Sequence, residues 1–186
     1  ALDSTLLAAR EALADFYVEH EQFDKALAAF QDLERFKPND QIIIYSLAGL
    51  TEYLYPEQSE HYFKKLVNLT GFESDIVKRY GMLLVRLNKG PEYIELMKHH
   101  HAIHPDNAIA RSMLIEGYQL YGQIDQTLQT IEEFLPTTLD EELEEYYQSL
   151  LMTLLLTNDS IQLSPSIEPH LEKLKKFKTQ SWIVTI

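Results

Sequence analysis

A repeat governs what this chain can fold into. Units set at Leu7, Gln41, Ser74 and Ala108 recur at steps of 34, 33 and 34 residues, and equivalent positions keep their character. A small-residue slot late in the first half of each unit reads Ala14, Ala48, Gly81 and then Ile115, and the larger residue before it reads Leu13, Leu47, Tyr80 and Leu114. In the second half, one slot reads Ala26, Ser59, Tyr93 and Thr127, and the slot one turn later reads Phe30, Phe63, Met97 and Ile131. A chain that repeats its apolar positions at a fixed interval buries each copy against the next, because one copy cannot hide both of its faces.

Leu7 to Asp40 shows the design of one copy. Leu13, Ala14, Tyr17 and Val18 fall at helical neighbour spacing and predict an apolar stripe on a first helix. Phe23, Ala26, Leu27, Phe30, Leu33 and Phe36 predict the matching stripe of a second helix, with Ala26 where two backbones can approach closely. Pro38 ends that run, since it disfavours helix at the residue before it and has no amide to donate. Asn39 and Asp40 are placed to accept from the free amides of the next helix.

These residues resemble the tetratricopeptide repeat, a helix-turn-helix unit whose copies stack into a solenoid. Leu13, Ala14, Tyr17, Phe23, Ala26, Phe30 and Pro38 match the family pattern, and Gly81, Pro105, Tyr118 and Gly122 extend it. The resemblance implies an all-α, right-handed α-solenoid of antiparallel helix pairs, forming a single domain over 1–186 with repeats at about 7–40, 41–73, 74–107 and 108–141. Unit two departs from the pattern at Thr51, where an aromatic is usual, and its bend is one residue shorter, with Pro56 in the first turn of its second helix. Unit three carries bulky Tyr93 in the slot where helices cross.

A C-terminal helical pair and cap are expected over about 138–178. Thr138 with Glu141 reads as a capping box, and the helix after it should run to about Thr157, apolar on several sides through Tyr146, Leu150, Leu151, Leu154 and Leu155. A polar loop over 158–166 leads to a last helix from about Ile167, with Pro169 in its first turn, Leu171, Leu174 and Phe177 inward, and Lys173, Lys175, Lys176 and Lys178 near its end. The tail 179–186 is apolar and strand-like. The chain opens with neither a start methionine nor a signal-like segment, which fits a processed chain or a piece of a longer one.

Charge and motifs narrow the function. A formal charge of −13 argues against nucleic acid as the principal partner, because no basic face is available for phosphates. The chain has no cysteine, so neither a disulfide scaffold nor thiolate chemistry is possible. Its most apolar run, Leu150 to Leu156, is far shorter than the roughly 18 residues of a membrane span, so no membrane insertion is expected. Glycine-rich phosphate loops, zinc-helix motifs and nucleophile elbows are all absent from the sequence, and no enzymatic activity or cofactor is expected. His100 and His104 share a helical face, as do His101 and His104, a spacing that would let two imidazoles meet a metal. Two ligands do not make a site, His100 falls in the packing slot of Leu33, and histidines at a helix end also suit its free carbonyls.

The resemblance implies that the first helix of each unit lines an inner face that receives a protein or peptide. The slots carry over to Glu11 and Asp15, then Tyr45, Ser46, Gly49 and Tyr53, then Lys78, Arg79, Met82 and Arg86, then Ser112, Met113, Glu116 and Gln119. That face is acidic at one end and basic in the middle, which suits a segment with apolar anchors and at least one acidic residue, unless these charges pair with neighbours inside the chain. Family members that capture a terminal carboxylate resemble one another in carrying Lys and Asn across three first helices. Here Glu11, Asp15, Ser46, Lys78 and Met82 occupy those places, so only Lys78 fits and that mode of capture is not expected. A scaffold or adaptor is the function implied; the alternative is a regulatory or oligomerising part of a larger enzyme or assembly component, and pairing of two copies is a further possibility.

Overall fold

The computed structural model describes residues 4–135, 138 and 141–157, and every regular element among them is a helix. They fall into two compact units, Ala1–Ile103 and His104–Ile186. The first holds α1 (Ser4–Glu19), α2 (Phe23–Phe36), α3 (Gln41–Thr51), α4 (Pro56–Leu69), α5 (Ser74–Arg86) and α6 (Gly90–Ile103). The second holds α7 (Ala108–Leu120), α8 (Ile124–Phe134) and α9 (Glu141–Thr157). Within each unit a helix packs on its neighbours in the chain, giving a run of helical hairpins.

Local chemistry sets the breaks. Asp40 caps α3 by accepting from the amides of Ile42 at 3.0 Å and Ile43 at 3.3 Å. Asn107 does the same for α7, accepting from Ile109 at 2.8 Å and Ala110 at 3.2 Å. Each cap satisfies amides that have no partner inside the helix. The bends within hairpins reuse a left-handed residue, Glu21, Asn88 or Gly122. Between α3 and α4 the described backbone has none, in keeping with the shorter bend of unit two, and Pro56 opens α4 with its fixed φ.

The repeated slots form the core. Ala14, Ala48, Gly81 and Ile115 are buried on the first helices, and Phe30, Phe63, Met97 and Ile131 are buried on the second. Phe63 stacks on Tyr80 with centroids 6.0 Å apart and rings nearly parallel. Burying an aromatic of this size stabilises by about 2–3 kcal/mol. The large side chain of Tyr93 fits its crossing slot because Gly81 opposite has no Cβ: one placed there would stand 2.9 Å from the Tyr93 ring and 2.9 Å from Met97 Cε. In unit two the same crossing is made by Ser59, whose hydroxyl donates to the Ala48 carbonyl at 2.9 Å.

Several sequence expectations are corrected. Leu13 and Val18 are exposed, as are Phe23 and Phe36; α1 packs chiefly on α2, which covers Ala14 and leaves the flanks of the stripe open. Among the described residues, Thr138 caps no amide of α9. Its hydroxyl donates back to the Phe134 carbonyl at 2.8 Å, so it closes α8. The helix α9 packs on α8 and buries one stripe, Tyr147, Gln148 and Leu151, while Tyr146 is exposed. The expected loop 158–166, closing helix and apolar tail lie outside the described residues.

Candidate functional site

A groove of about 500 Å³ opens in the first unit, lined by Val18, Phe23, Tyr45, Ser46, Gly49, Leu50, Tyr53, Leu54 and Arg79. Volumes of this order hold small ligands or a few side chains of a bound segment, since such sites run from about 300 to 1,000 Å³. Its walls are apolar and reachable: Val18, Phe23, Tyr45 and Leu54 are all exposed, and Tyr53 keeps 80% of its surface open.

The polar part is organised by Glu52, a residue sequence reasoning did not single out. It caps the C-terminus of α3 and is only 8% exposed. Arg79 grips it from α5, with Nη2 2.7 Å and Nε 2.9 Å from Oε2. Arg86, two turns on, gives Nη2 to the Glu52 carbonyl at 3.0 Å and to Oε1 at 3.3 Å. A buried carboxylate is tolerable on these terms, because two guanidiniums supply the hydrogen bonds that water would otherwise give.

The same guanidiniums lie over aromatic rings, Tyr45 and Tyr53 of the groove wall and Phe63 of the core. Arg79 Cζ lies 5.2 Å from the Tyr45 ring centroid and 5.4 Å from that of Phe63, and Arg86 Cζ lies 4.9 Å from that of Tyr53. Those distances are within cation–π range. Gly49 completes the arrangement, since a Cβ there would meet Arg79 Nη2 at 3.2 Å. Glycine at this point leaves room for the guanidinium against α3.

The structure therefore brings together Tyr45, Ser46, Gly49, Tyr53, Arg79 and Arg86 from the expected set, and adds Val18, Phe23, Leu50, Glu52 and Leu54. Glu11 is half-buried and held by Lys37, and Asp15, Lys78 and Met82 are exposed outside the groove lining. The expected basic patch is thus partly neutralised from within, at Arg79 and Arg86, by Glu52. In the second unit Glu116 is exposed and Ser112 and Gln119 are half-buried. Glu116 also acts on α9: partial burial and, next, this carboxylate push the Tyr146 phenol up. Met113 is a correction. It is 6% exposed and offers no surface to a partner, because Met113, Leu114, Ile115, Gly117 and Tyr118 are all buried and at 100° per residue they take up most of the circumference of α7.

Of the three histidines with metal-ligand spacing, His100 is fully buried, and its Nε2 stands 3.2 Å from the Ser74 hydroxyl. It fills the place that Leu33 fills in the first hairpin and, like Leu33, is buried there. Among the described residues, no three His, Cys, Asp or Glu side chains converge as a metal site would require, and no helix is long and apolar enough to cross a membrane.

Hairpins that bury one another in sequence, with an open groove on the first helices, define a helical-repeat fold of the tetratricopeptide type. Solved structures agree on the fold. MamA residues 41 to the end from Desulfovibrio magneticus RS-1 superposes with a TM-score of 0.56 at 15% identity, covering 94% of this chain and 96% of that one. YrrB, described as a TPR protein with an unusual peptide-binding site, gives 0.52 at 19% identity over 80% of this chain and 77% of its own. A putative kinesin light chain of Podosopora anserina, with nearly identical TPR-like repeats, gives 0.54 at 15% identity over 97% of this chain and 99% of its own. No protein family's sequence pattern and no curated protein matches the chain.

Proposed function

We propose that the protein is a non-catalytic scaffold that holds a segment of a partner protein in the groove of its first unit, by apolar anchors and one acidic residue. The observation that carries this reading is the groove itself: five exposed apolar side chains, Val18, Phe23, Tyr45, Tyr53 and Leu54, surround a cavity whose polar group is a guanidinium. Exposed aromatics that converge on a concavity, with a charge to orient the ligand, are the ingredients of a binding hot spot. The description of YrrB as having a peptide-binding site is consistent with it.

The occupant is a peptide segment carrying a carboxylate. Glu52 offsets one of the two guanidinium charges, so one net positive charge remains beside the groove, on a chain whose formal charge is −13. The test is a random-peptide display library selected on the whole protein, with the enriched peptide titrated against wild type and against Tyr45→Ser with Tyr53→Ser. We expect the double substitution to weaken binding about tenfold or more, the scale of lost aromatic hot spots. Peptides that bind wild type and the double variant equally would place the partner surface elsewhere.

A further inference from the structure

We propose that the acidic residue of a bound segment is read by Arg86, stacked on Tyr53, and that Arg79 is a positioning residue which holds Glu52 and Tyr45 in place. This rests on the groove reading given above and narrows it to one side chain.

The two guanidiniums are committed to different degrees. Arg79 spends Nε and Nη2 on a single oxygen of Glu52, lies over the rings of both Tyr45 and Phe63, and has Gly49 against Nη2. It is built into the wall, and a ligand carboxylate would have to displace Glu52 to use it. Arg86 gives Nη2 alone, to the carbonyl and Oε1 of Glu52. Its Nη1 donates to no described residue, and its side chain is 41% exposed. Directional donors on a guanidinium whose orientation is already fixed lose little freedom when a carboxylate arrives.

Position supports the assignment. Tyr53 and Arg86 occupy the same slot of successive units, one residue after Glu52 and Val85 respectively. Arg86 Cζ lies over a ring that lines the groove and is itself largely exposed. A segment that lays an aliphatic or aromatic side chain beside Tyr53 would carry an acidic residue close to Arg86 Nη1. Neither Arg86 nor Lys78, the other cation expected on this face, is part of the groove lining itself, but Arg86 lies over Tyr53, which is.

The experiment is a double-mutant cycle on the whole chain, using the displayed peptide and its amide counterpart, in which each Asp or Glu becomes Asn or Gln. Wild type should prefer the acidic peptide about tenfold, the factor that goes with one charge-assisted hydrogen bond. Arg86→Gln should abolish that preference, and Arg86→Lys should keep part of it. The assignment is overturned if the preference survives Arg86→Gln or disappears with Lys78→Gln instead, while the dependence on Tyr45 and Tyr53 stands. If no peptide depends on Tyr45 and Tyr53, the groove reading fails and takes the assignment with it. Melting curves confirm that each variant is folded; should Arg86→Gln not fold, Arg86→Lys decides, a wild-type preference for the acidic peptide counting against the assignment and a reduced one for it.

Discussion

Glu52 stands in a slot that the neighbouring units fill with Val18 and Val85. A carboxylate placed at an apolar position is stable only with its partners, so Glu52→Gln should expose the dependence: it leaves two guanidiniums facing an amide and should lower stability by about 1–3 kcal/mol in denaturant unfolding. A larger loss would mean that the pair is effectively dry, although both arginines are partly exposed. The available signal was a charge in a column that reads Val18, Glu52, Val85 and Gln119, and it is faint because one glutamate in a chain with 29 acidic residues looks like ordinary surface. Tyr80 makes a second residue-scale prediction. Burial, and then the carboxylates of Glu60 and Glu92, push its phenol up to about 12. An unfolded tyrosine ionises near about 10, so the folded state holds this proton more tightly. The stabilisation is complete below that pH and is lost as pH rises toward 12, by about 1–3 kcal/mol in all. Tyr80→Phe should flatten this part of the stability curve and remove a late step from the phenolate absorbance titration.

At the scale of the helix pair, the crossing of α5 and α6 depends on Gly81 and Tyr93 together. Gly81→Ala improves helix propensity by up to about 1 kcal/mol but puts a Cβ into the Tyr93 ring and Met97 Cε, so the net change should be a loss of about 1–2 kcal/mol. Combined with Tyr93→Ala, which restores the small-against-small crossing of Ala14 and Ala26, the Gly81→Ala substitution should cost nothing further or stabilise. Additive losses in the denaturation midpoints of the single and double variants would show that the two side chains do not meet. Much of this level was legible beforehand, because packing slots repeat and the repeat is visible: Phe30, Phe63, Met97 and Ile131 are all buried where the columns put them. The short bend before Pro56 was legible for the same reason. What the columns could not give was coverage. Leu13 and Met113 obey the repeat as well as any residue, yet one is exposed and the other buried, since burial depends on what packs beside a helix and not on the helix's own pattern.

For the whole molecule, the consequence of building from hairpins is that function and stability separate along the chain. The groove, Glu52 and both of its arginines lie within the unit Ala1–Ile103. In repeat arrays each layer draws its stability from its neighbours, so removing layers lowers overall stability while leaving distant layers with the same local geometry. A chain ending at Ile103 should accordingly bind the selected peptide within about threefold of the full chain, a difference below 1 kcal/mol. It should also keep the acidic preference and its loss in Arg86→Gln. Calorimetric titration of both chains with the same peptide makes the comparison. If the shortened chain is folded by circular dichroism and yet binds more than tenfold more weakly, the segment contacts residues beyond Ile103, and Glu116 and Gln119 of α7 become the next positions to substitute.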